Sequence, residues 1–433
     1  MKQPMTPASF LFTTWEGGGS VSPVVAAAAT LVRRGHRVRI MSDACNRAEA
    51  EAIGAAFVTW TRAPSRPDRT RESEIMRDWS ATTPEEGIRN VIDGIICGPA
   101  LGYAQDVIAE LSREPADLVV GLEMLPGVFT GCEAIGQKTA MFAAQISLFP
   151  LAGVPPLGPG LAPAKTAEER AAQAEIAKRV EALFDTGLPA LNYARAAFGL
   201  SPLAHVYEQL LYAEQHFLGT ARAFDFAPDS LPAHVSYVGP QLGPVAWASA
   251  WTAPWPQDDA RPQIAVSFST TFQNHVGVLQ RTIDAIARLP VRGVVTLGGV
   301  IDRRELAAAP NVALLNAAPH EQLFAESALV VSHGGHGTVM RALVAQKPML
   351  VIPHGRDQND NAARVVERGA GLRLDPSATT DEIERALRNL LGDPSYAKAA
   401  EALGARVAEE AANSPLAEAL ESIAWQNRTS AAA

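Results

Sequence analysis

Two stretches in the last third of the chain concentrate groups capable of chemistry: Ser332-His333-Gly334-Gly335-His336-Gly337-Thr338 and Pro353-His354-Gly355-Arg356-Asp357-Gln358-Asn359. Glycines at a turn let the backbone approach a ligand closely, and unpaired N–H groups at a helix start attract an anion. His333 and the Thr338 hydroxyl add side-chain donors at the same point, so the first stretch suits a phosphate. The second offers an acid beside an amide, Asp357-Gln358, which suits the hydroxyls of a sugar. Together they describe a site for a nucleotide sugar.

Such a site needs strands and helices to hold it. Ala328-Leu329-Val330-Val331 is short and β-branched enough to be a buried strand, and Val339, Leu343 and Val344 follow at helical spacing. The glycines therefore sit where a strand becomes a helix. The pattern repeats with a strand from Met349 to Pro353, a polar loop, and a helix from about Asn359 to Glu367 that closes before Gly369. Two parallel strands thus present their carboxyl ends side by side.

From Pro319 to Gly371 the chain resembles the donor-binding signature of inverting GT-B glycosyltransferases, of the UDP-glycosyltransferase and macrolide-antibiotic type. Those enzymes read H-x-G-x-G-[ST] and then D-Q on the next strand-loop. The resemblance implies an α/β fold of two doubly wound Rossmann-like domains facing across a cleft. It implies a nucleoside-diphosphate sugar as co-substrate, with no cofactor and no metal, and a bulky hydrophobic acceptor. Donor contacts would come from His333, Gly335, Gly337, Thr338, Asp357 and Gln358. Ser269 and Thr270 would face the phosphates as secondary contacts, and His320 would stack on the base. Arg341 stands where uridine-selective relatives carry Glu, which leaves UDP and dTDP donors both open.

The same comparison exposes a departure in the first domain. Relatives place a His, or in some antibiotic enzymes an Asp, three residues before the Pro of the first helix; here that residue is Ser20. Serine is no general base without a partner. Glu16, on the same loop, is the nearest titratable group and is either the base or a solvated loop residue. Alternatively the acceptor supplies its own acidity and Ser20 only hydrogen-bonds it. Glu123 is either a second acid in the site or a loop residue. A different class of function, a catalytically inactive sugar-nucleotide-binding partner, would also account for the missing His.

Bulk properties narrow the field. The 433 residues suggest two domains, each with its own core, and 47% hydrophobic with 19% charged residues is the balance of a globular protein. A net charge of −9 without a Lys/Arg cluster argues against nucleic acid and anionic membranes as partners. The apolar run Phe10 to Phe12 is too short for a signal segment, so a cytoplasmic monomer or homodimer is expected. Cys45, Cys97 and Cys132 are widely spaced and read as buried free thiols.

Along the chain, a strand over Ser9 to Thr14, a glycine loop, a helix capped by Ser22 with Pro23 behind it, and a strand over Val38 to Met41 open a doubly wound domain. Gly17-Gly18-Gly19 with Asp43 is a partial match to a dinucleotide fingerprint, which leaves a nicotinamide or flavin role as a rival for this loop. The segment from Arg62 to Gly87 reads as a long charged loop over the acceptor cleft, mobile or simply solvated. His336 is expected at the surface of its helix start. The domains are placed at 1–238 for the acceptor, 239–260 for a Pro/Trp-rich linker and 261–412 for the donor. Residues 413–433 form a last helix and tail crossing back to the first domain. Trp247, Trp251 and Trp255 are expected to clamp the domains together.

Overall fold

The computed structural model describes residues 7–148, 150–243 and 251–431, with side chains to 426. Its first sheet is all parallel, in the order β3-β2-β1-β4-β5-β6-β7. These strands are β1 (Ser9–Thr13), β2 (Arg37–Ser42), β3 (Ala56–Thr59), β4 (Leu118–Leu122), β5 (Thr139–Ala143), β6 (His216–Leu218) and β7 (Val235–Tyr237). The second sheet is also parallel, ordered β10-β9-β8-β11-β12-β13. It comprises β8 (Gln263–Ser267), β9 (Arg292–Thr296), β10 (Val312–Leu315), β11 (Leu329–Ser332), β12 (Met349–Val351) and β13 (Gly371–Arg373). The central strands are continuous apolar runs such as LVVGL in β4 and LVVS in β11, buried along their whole length, because helices cover both faces of a parallel sheet. In both sheets the order reverses beside the first strand, at β1/β4 and at β8/β11, and ligands gather beyond the carboxyl ends of strands at such points.

In the first half the helices are α1 (Val21–Arg33), α2 (Arg47–Ala52), α3 (Pro84–Val91), α4 (Ala100–Arg113), α5 (Pro126–Ala134), α6 (Ala167–Phe184) and α7 (Leu188–Ala196). The second half carries α8 (Val276–Ala287), α9 (His320–Ala325), α10 (His336–Val344), α11 (Gln358–Glu367), α12 (Thr380–Gly392), α13 (Pro394–Ala412) and α14 (Leu416–Ala431). Several start where the sequence spells a capping box: Thr166 and Glu169 open α6, and Thr379 and Glu382 open α12. The first helix departs from expectation. Its N-cap is Ser20 rather than Ser22, and Ser20 makes no side-chain capping bond.

The last helix returns to the first domain. Leu416, Leu420 and Ala424 join the core built on β1 and α1, and Glu421 accepts from both Arg34 and His36. His36 is thus buried where the last helix meets the first domain. Another core cluster belongs to both halves, bringing Ile146, Ala221 and Phe224 against Val339, Leu343 and Val365. Trp251 and Trp255 pack at the edge of that cluster, and Trp251 donates to Glu326 at 2.7 Å. Residues 244–250 of the expected linker, Trp247 among them, lie outside the described residues.

All three cysteines are free; Cys97 and Cys132 are buried, while Cys45 is only half-buried. The helical stretch 84–113 is long and apolar enough to span a membrane by length and composition. Half of its most apolar window is buried inside the fold, the setting of a core helix.

Candidate active site

The first stretch folds as its glycines require. β11 ends at Ser332, and α10 begins at His336 with Gly335 at its N-cap. Gly334 has a φ of +90°, and a side chain there would lie 2.7 Å from the Val351 methyl on the neighbouring strand. At Gly335 a Cβ would meet the His333 ring at 2.5 Å. His333, Gly335, Gly337 and Thr338 all line one cavity of about 2500 Å³ between the two domains. Burial and the neighbouring His275 hold the His333 imidazole well below its ordinary pKa, so it is neutral there. Its Nδ1 is buried without a hydrogen-bond partner. A neutral ring with an unmatched nitrogen beside a helix N-terminus is a polar group prepared for an anionic oxygen.

The second stretch meets the first. Asp357 stands at the N-cap position of α11 without a side-chain capping bond, accepts from Asn361 Nδ2 at 2.7 Å, and receives the backbone N–H of His336 at the start of α10. Burial nevertheless raises its pKa. Asn361 also donates to the Gly334 carbonyl at 2.9 Å, tying the two turns together. Gln358 lines the cavity too, but its Oε1 accepts the His354 N–H at 2.7 Å. Its Nε2 donates to Gln273 Oε1 at 3.0 Å and the residue is 1% exposed, so both ends of the amide brace the turn, a correction to its expected role as a free sugar contact.

Ser269 and Thr270 lie on the turn after β8 and line the same cavity. Ser269 Oγ bonds Thr271 Oγ1 at 2.9 Å and accepts the Thr271 N–H, which leaves Thr270 as the freer hydroxyl. His320 is half-buried, with one ring face stacked on Phe324 at 4.6 Å and Nε2 bonded to Ser267 Oγ at 2.7 Å. Only its other face is left for a planar ligand. Arg341 spans the domains, donating to the Gly243 carbonyl at 2.9 Å and to Ser22 Oγ at 3.3 Å, and no carboxylate among the described residues bonds it.

The expectation for His336 needs correcting. It is buried, and its Nε2 meets Thr220 Oγ1 at 2.8 Å across the domain boundary. A His at the first helical position turns inward here because the partner hydroxyl comes from the other domain, which local spacing does not register.

Glu16 needs correcting as well. It is 3% exposed, its Oε1 accepts the Gly18 N–H and its Oε2 pairs with Arg69 at 2.9 Å. Both oxygens are committed, so Glu16 is neither solvated nor free to take an acceptor proton without breaking an ion pair. Asp43, the acid of the rival dinucleotide reading, accepts the backbone N–H groups of Glu16 and Arg66 at 2.8 and 2.9 Å. It holds loops together rather than waiting for a ribose. Gly18, with a φ of +76°, lies against the second domain: a Cβ there would stand 3.0 Å from Thr270 Oγ1. Ser20 lines the cleft near this contact. Glu123 sits buried past the end of β4, its pKa pushed far up by burial, and it does not line the cavity.

Arg62 to Gly87 is pinned rather than merely solvated. Asp106 accepts the N–H groups of Thr61, Arg62 and Ala63, and Arg66 and Glu74 form a buried ion pair at 3.0 Å. Met76 and Trp79 of this segment line the cavity with Ile88, Val91, Met124 and Phe184, giving its first-domain side an apolar wall. One cluster among the described residues has cation-ligand spacing: Glu181, Asp185 and His205. Its members do not line the cleft, and His205 is already bonded to Asp185 at 2.7 Å.

The buried histidines predict a pH response. Burial depresses His275 and His320 to about 3, and His216 and His336 to about 4. Below their ordinary pKa near 6.5 the unfolded chain takes up protons that the folded one refuses, so their stabilisation is lost as pH falls. Asp43 and Asp360, raised to about 6, work the other way, stabilising at low pH and losing that contribution as pH rises through 6. His333 and His354 are lowered too, and Asp357, Glu74 and Glu123 are raised. Six histidines thus stand against five carboxylates, so the melting temperature is expected to drop by a few degrees between pH 6.5 and 5. A scan of thermal unfolding against pH checks this; a flat or rising profile toward acid would contradict it.

Comparison with known proteins agrees with the two-domain fold. Residues 280–423 match the family described as "Erythromycin biosynthesis protein CIII-like, C-terminal domain". The chain is 28% identical over 408 residues to 4'-demethylrebeccamycin synthase of Lentzea aerocolonigenes, an alignment covering 90% of this chain and 93% of that one. Among solved structures, the kitacinnamycin glycotransferase superposes with a TM-score of 0.74 at 20% identity, covering 97% of this chain and 99% of that one. A spinosyn rhamnosyltransferase complexed with thymidine diphosphate gives a TM-score of 0.68 at 16% identity, covering 96% of this chain and 99% of that one. At these identities the two structures establish a shared two-domain fold.

Proposed function

The chain is a GT-B glycosyltransferase, and from that premise we propose that it moves a sugar from UDP or dTDP onto a bulky hydrophobic acceptor with inversion at the anomeric carbon. One observation carries the donor half. The start of α10 with His333 and Thr338, and Asp357 with Gln358 on the adjoining crossover, face one interdomain cavity and touch each other through Asn361. The helix start and His333 receive the diphosphate, where negative charge grows as the glycosyl bond breaks. Asp357 holds sugar hydroxyls, and Gln358, its amide bonded to the His354 N–H and to Gln273, holds the turn that presents that acid. This reading needs no metal and no cofactor, because the neutralising groups are the helix start, His333 and Thr338. The relative named as a synthase, aligned over nine-tenths of this chain, favours an active enzyme over an inactive partner.

The apolar wall of Met76, Trp79, Ile88 and Phe184 takes the acceptor. With Glu16 committed to Arg69, activation falls to the acceptor itself. Its hydroxyl ionises, the proton passes to solvent, and the oxygen bonds the anomeric carbon as the bond to the β-phosphate oxygen breaks. Ser20 orients that oxygen by a hydrogen bond. The expected result is a reactivity series at pH 7: acidic phenols are glycosylated faster than weakly acidic phenols, and aliphatic alcohols slowest. Removing the Ser20 hydroxyl costs only a few-fold.

The direct test incubates the protein with UDP-glucose or dTDP-glucose and a phenol such as 4-methylumbelliferone. Release of nucleoside diphosphate and a glycoside of the matching mass are measured. Release with neither donor, across a panel of phenols, would remove the proposal. Aliphatic alcohols reacting as fast as phenols would instead restore a protein base.

A further inference from the structure

The segment that lines the acceptor side of the cleft also reaches the donor side. Asp78 lies between Met76 and Trp79 and forms a two-point ion pair with Arg356, Nε to Oδ2 at 2.7 Å and Nη2 to Oδ1 at 3.1 Å. Both side chains are largely buried, with 16% and 21% exposure, and both line the cavity. The Arg71 guanidinium sits 3.8 Å from the centre of the Phe272 ring, and Trp79 meets the same ring edge-on at 5.4 Å. One stretch of the first domain is therefore clasped to two turns of the second.

The backbone at this clasp is unusual on both sides. Arg77, just before Asp78, has a φ of +45°, and Arg356 itself has a φ of +56°. Non-glycine residues hold such conformations only where surrounding contacts over-determine them. Arg356 directly precedes Asp357 and Gln358, so its conformation sets the direction in which that acid and amide leave the turn. Beyond Asp78, its guanidinium is held by Thr271 Oγ1 at 2.9 Å, on the turn that carries Ser269 and Thr270.

We propose that Asp78 is a positioning residue for the donor sugar: through Arg356 it fixes the left-handed turn that presents Asp357 and Gln358, and it does so from the loop that walls the acceptor. Seating of the acceptor loop and assembly of the sugar grip are then one event. A donor bound under an open loop would keep its diphosphate contacts but lose its ring contacts. The proposal rests on the donor reading above and adds a residue to it that lies nearly 280 positions away in the chain.

Affinity measured by calorimetry tests this without knowledge of the natural acceptor. Wild type, D78A and D78E are titrated with UDP, UDP-glucose, dTDP and dTDP-glucose. For D78A, affinity for the sugar nucleotide relative to its bare diphosphate is expected to fall about tenfold, while affinity for the diphosphate stays within two- to threefold. D78E, which keeps the charge, is expected to recover part of the loss. An unchanged ratio in D78A would overturn the proposal, and so would a parallel fall for diphosphate and sugar nucleotide, which marks a merely structural role. R356A should reproduce the D78A ratio, and a normal ratio in R356A would equally overturn it. Wild-type protein that binds none of the four ligands would instead sink the donor reading, and this proposal with it.

Discussion

Replacing His333 with alanine is expected to lower the transfer rate by about a hundred- to a thousandfold, the usual cost of deleting one preorganised donor at a developing negative charge. The loss should fall on turnover more than on nucleotide affinity, because the helix start and Thr338 still bind the diphosphate in the ground state. The His333 ring is neutral, buried and packed against Gly335, with Nδ1 lacking a partner. Its contribution is thus a fixed dipole rather than a titrating charge. Glutamine, which keeps a donor at about the same reach, should recover part of the activity. Steady-state kinetics with the better of the two donors decides. A drop confined to KM would show that His333 binds substrate and transition state equally, and a change under tenfold would take it out of the machinery.

Breaking the interdomain pair of Asp225 and Arg364 is expected to cost about 3–5 kcal/mol of stability, the usual penalty for leaving a buried charge without its partner. Arg364 Nε meets Asp225 Oδ1 at 2.7 Å, and the two side chains are 5% and 2% exposed. Asp225 also accepts from the Phe226 N–H and the Tyr237 hydroxyl, both at 2.7 Å, while Arg364 lies 4.5 Å from the Phe226 ring centre. R364A strands that carboxylate in a setting built for a cation. Urea unfolding of R364A should show the full loss, and D225A/R364A should lose less than the sum of the single variants, since neither charge is then left alone. Simple additivity of the two would mean that the pair does not act as a unit. The pair belongs to a seam that includes His336 with Thr220 and Glu410 with the Arg222 and Ala223 N–H groups. Loss of R364 should therefore loosen the relation between the two domains before it unfolds either.

The donor half was legible in the sequence because its determinants are local. A strand, a glycine turn and a helix start lie within a dozen residues of one another. The neighbouring Asp357 and Gln358 follow after one crossover, and parallel-sheet topology places consecutive crossovers side by side. Apolar runs such as those of β1, β4 and β11 declared themselves in the same way, since a strand covered on both faces has no polar positions to disguise it. Short β6 (HFL) and β7 (VSY) gave little signal of their own and owe their place to pairing with β5 and with each other.

What tertiary structure alone decided is which polar groups are already taken. Glu16 read as a candidate base until Arg69, more than fifty positions away, closed on it. His336 read as a surface residue until Thr220 arrived from the other domain. Asp78 carried no signal at all, being one acid in a charged loop, until Arg356 met it across the cleft. The sequence determined by itself the glycine turn, the helix start and the adjoining polar turn proposed to hold the donor, because backbone geometry and a few adjacent side chains suffice for that. Whether a carboxylate is a base, a brace or a clasp depends on which charge the fold brings to it. Coulombic and hydrogen-bond partners act through space, so no spacing along the chain records them.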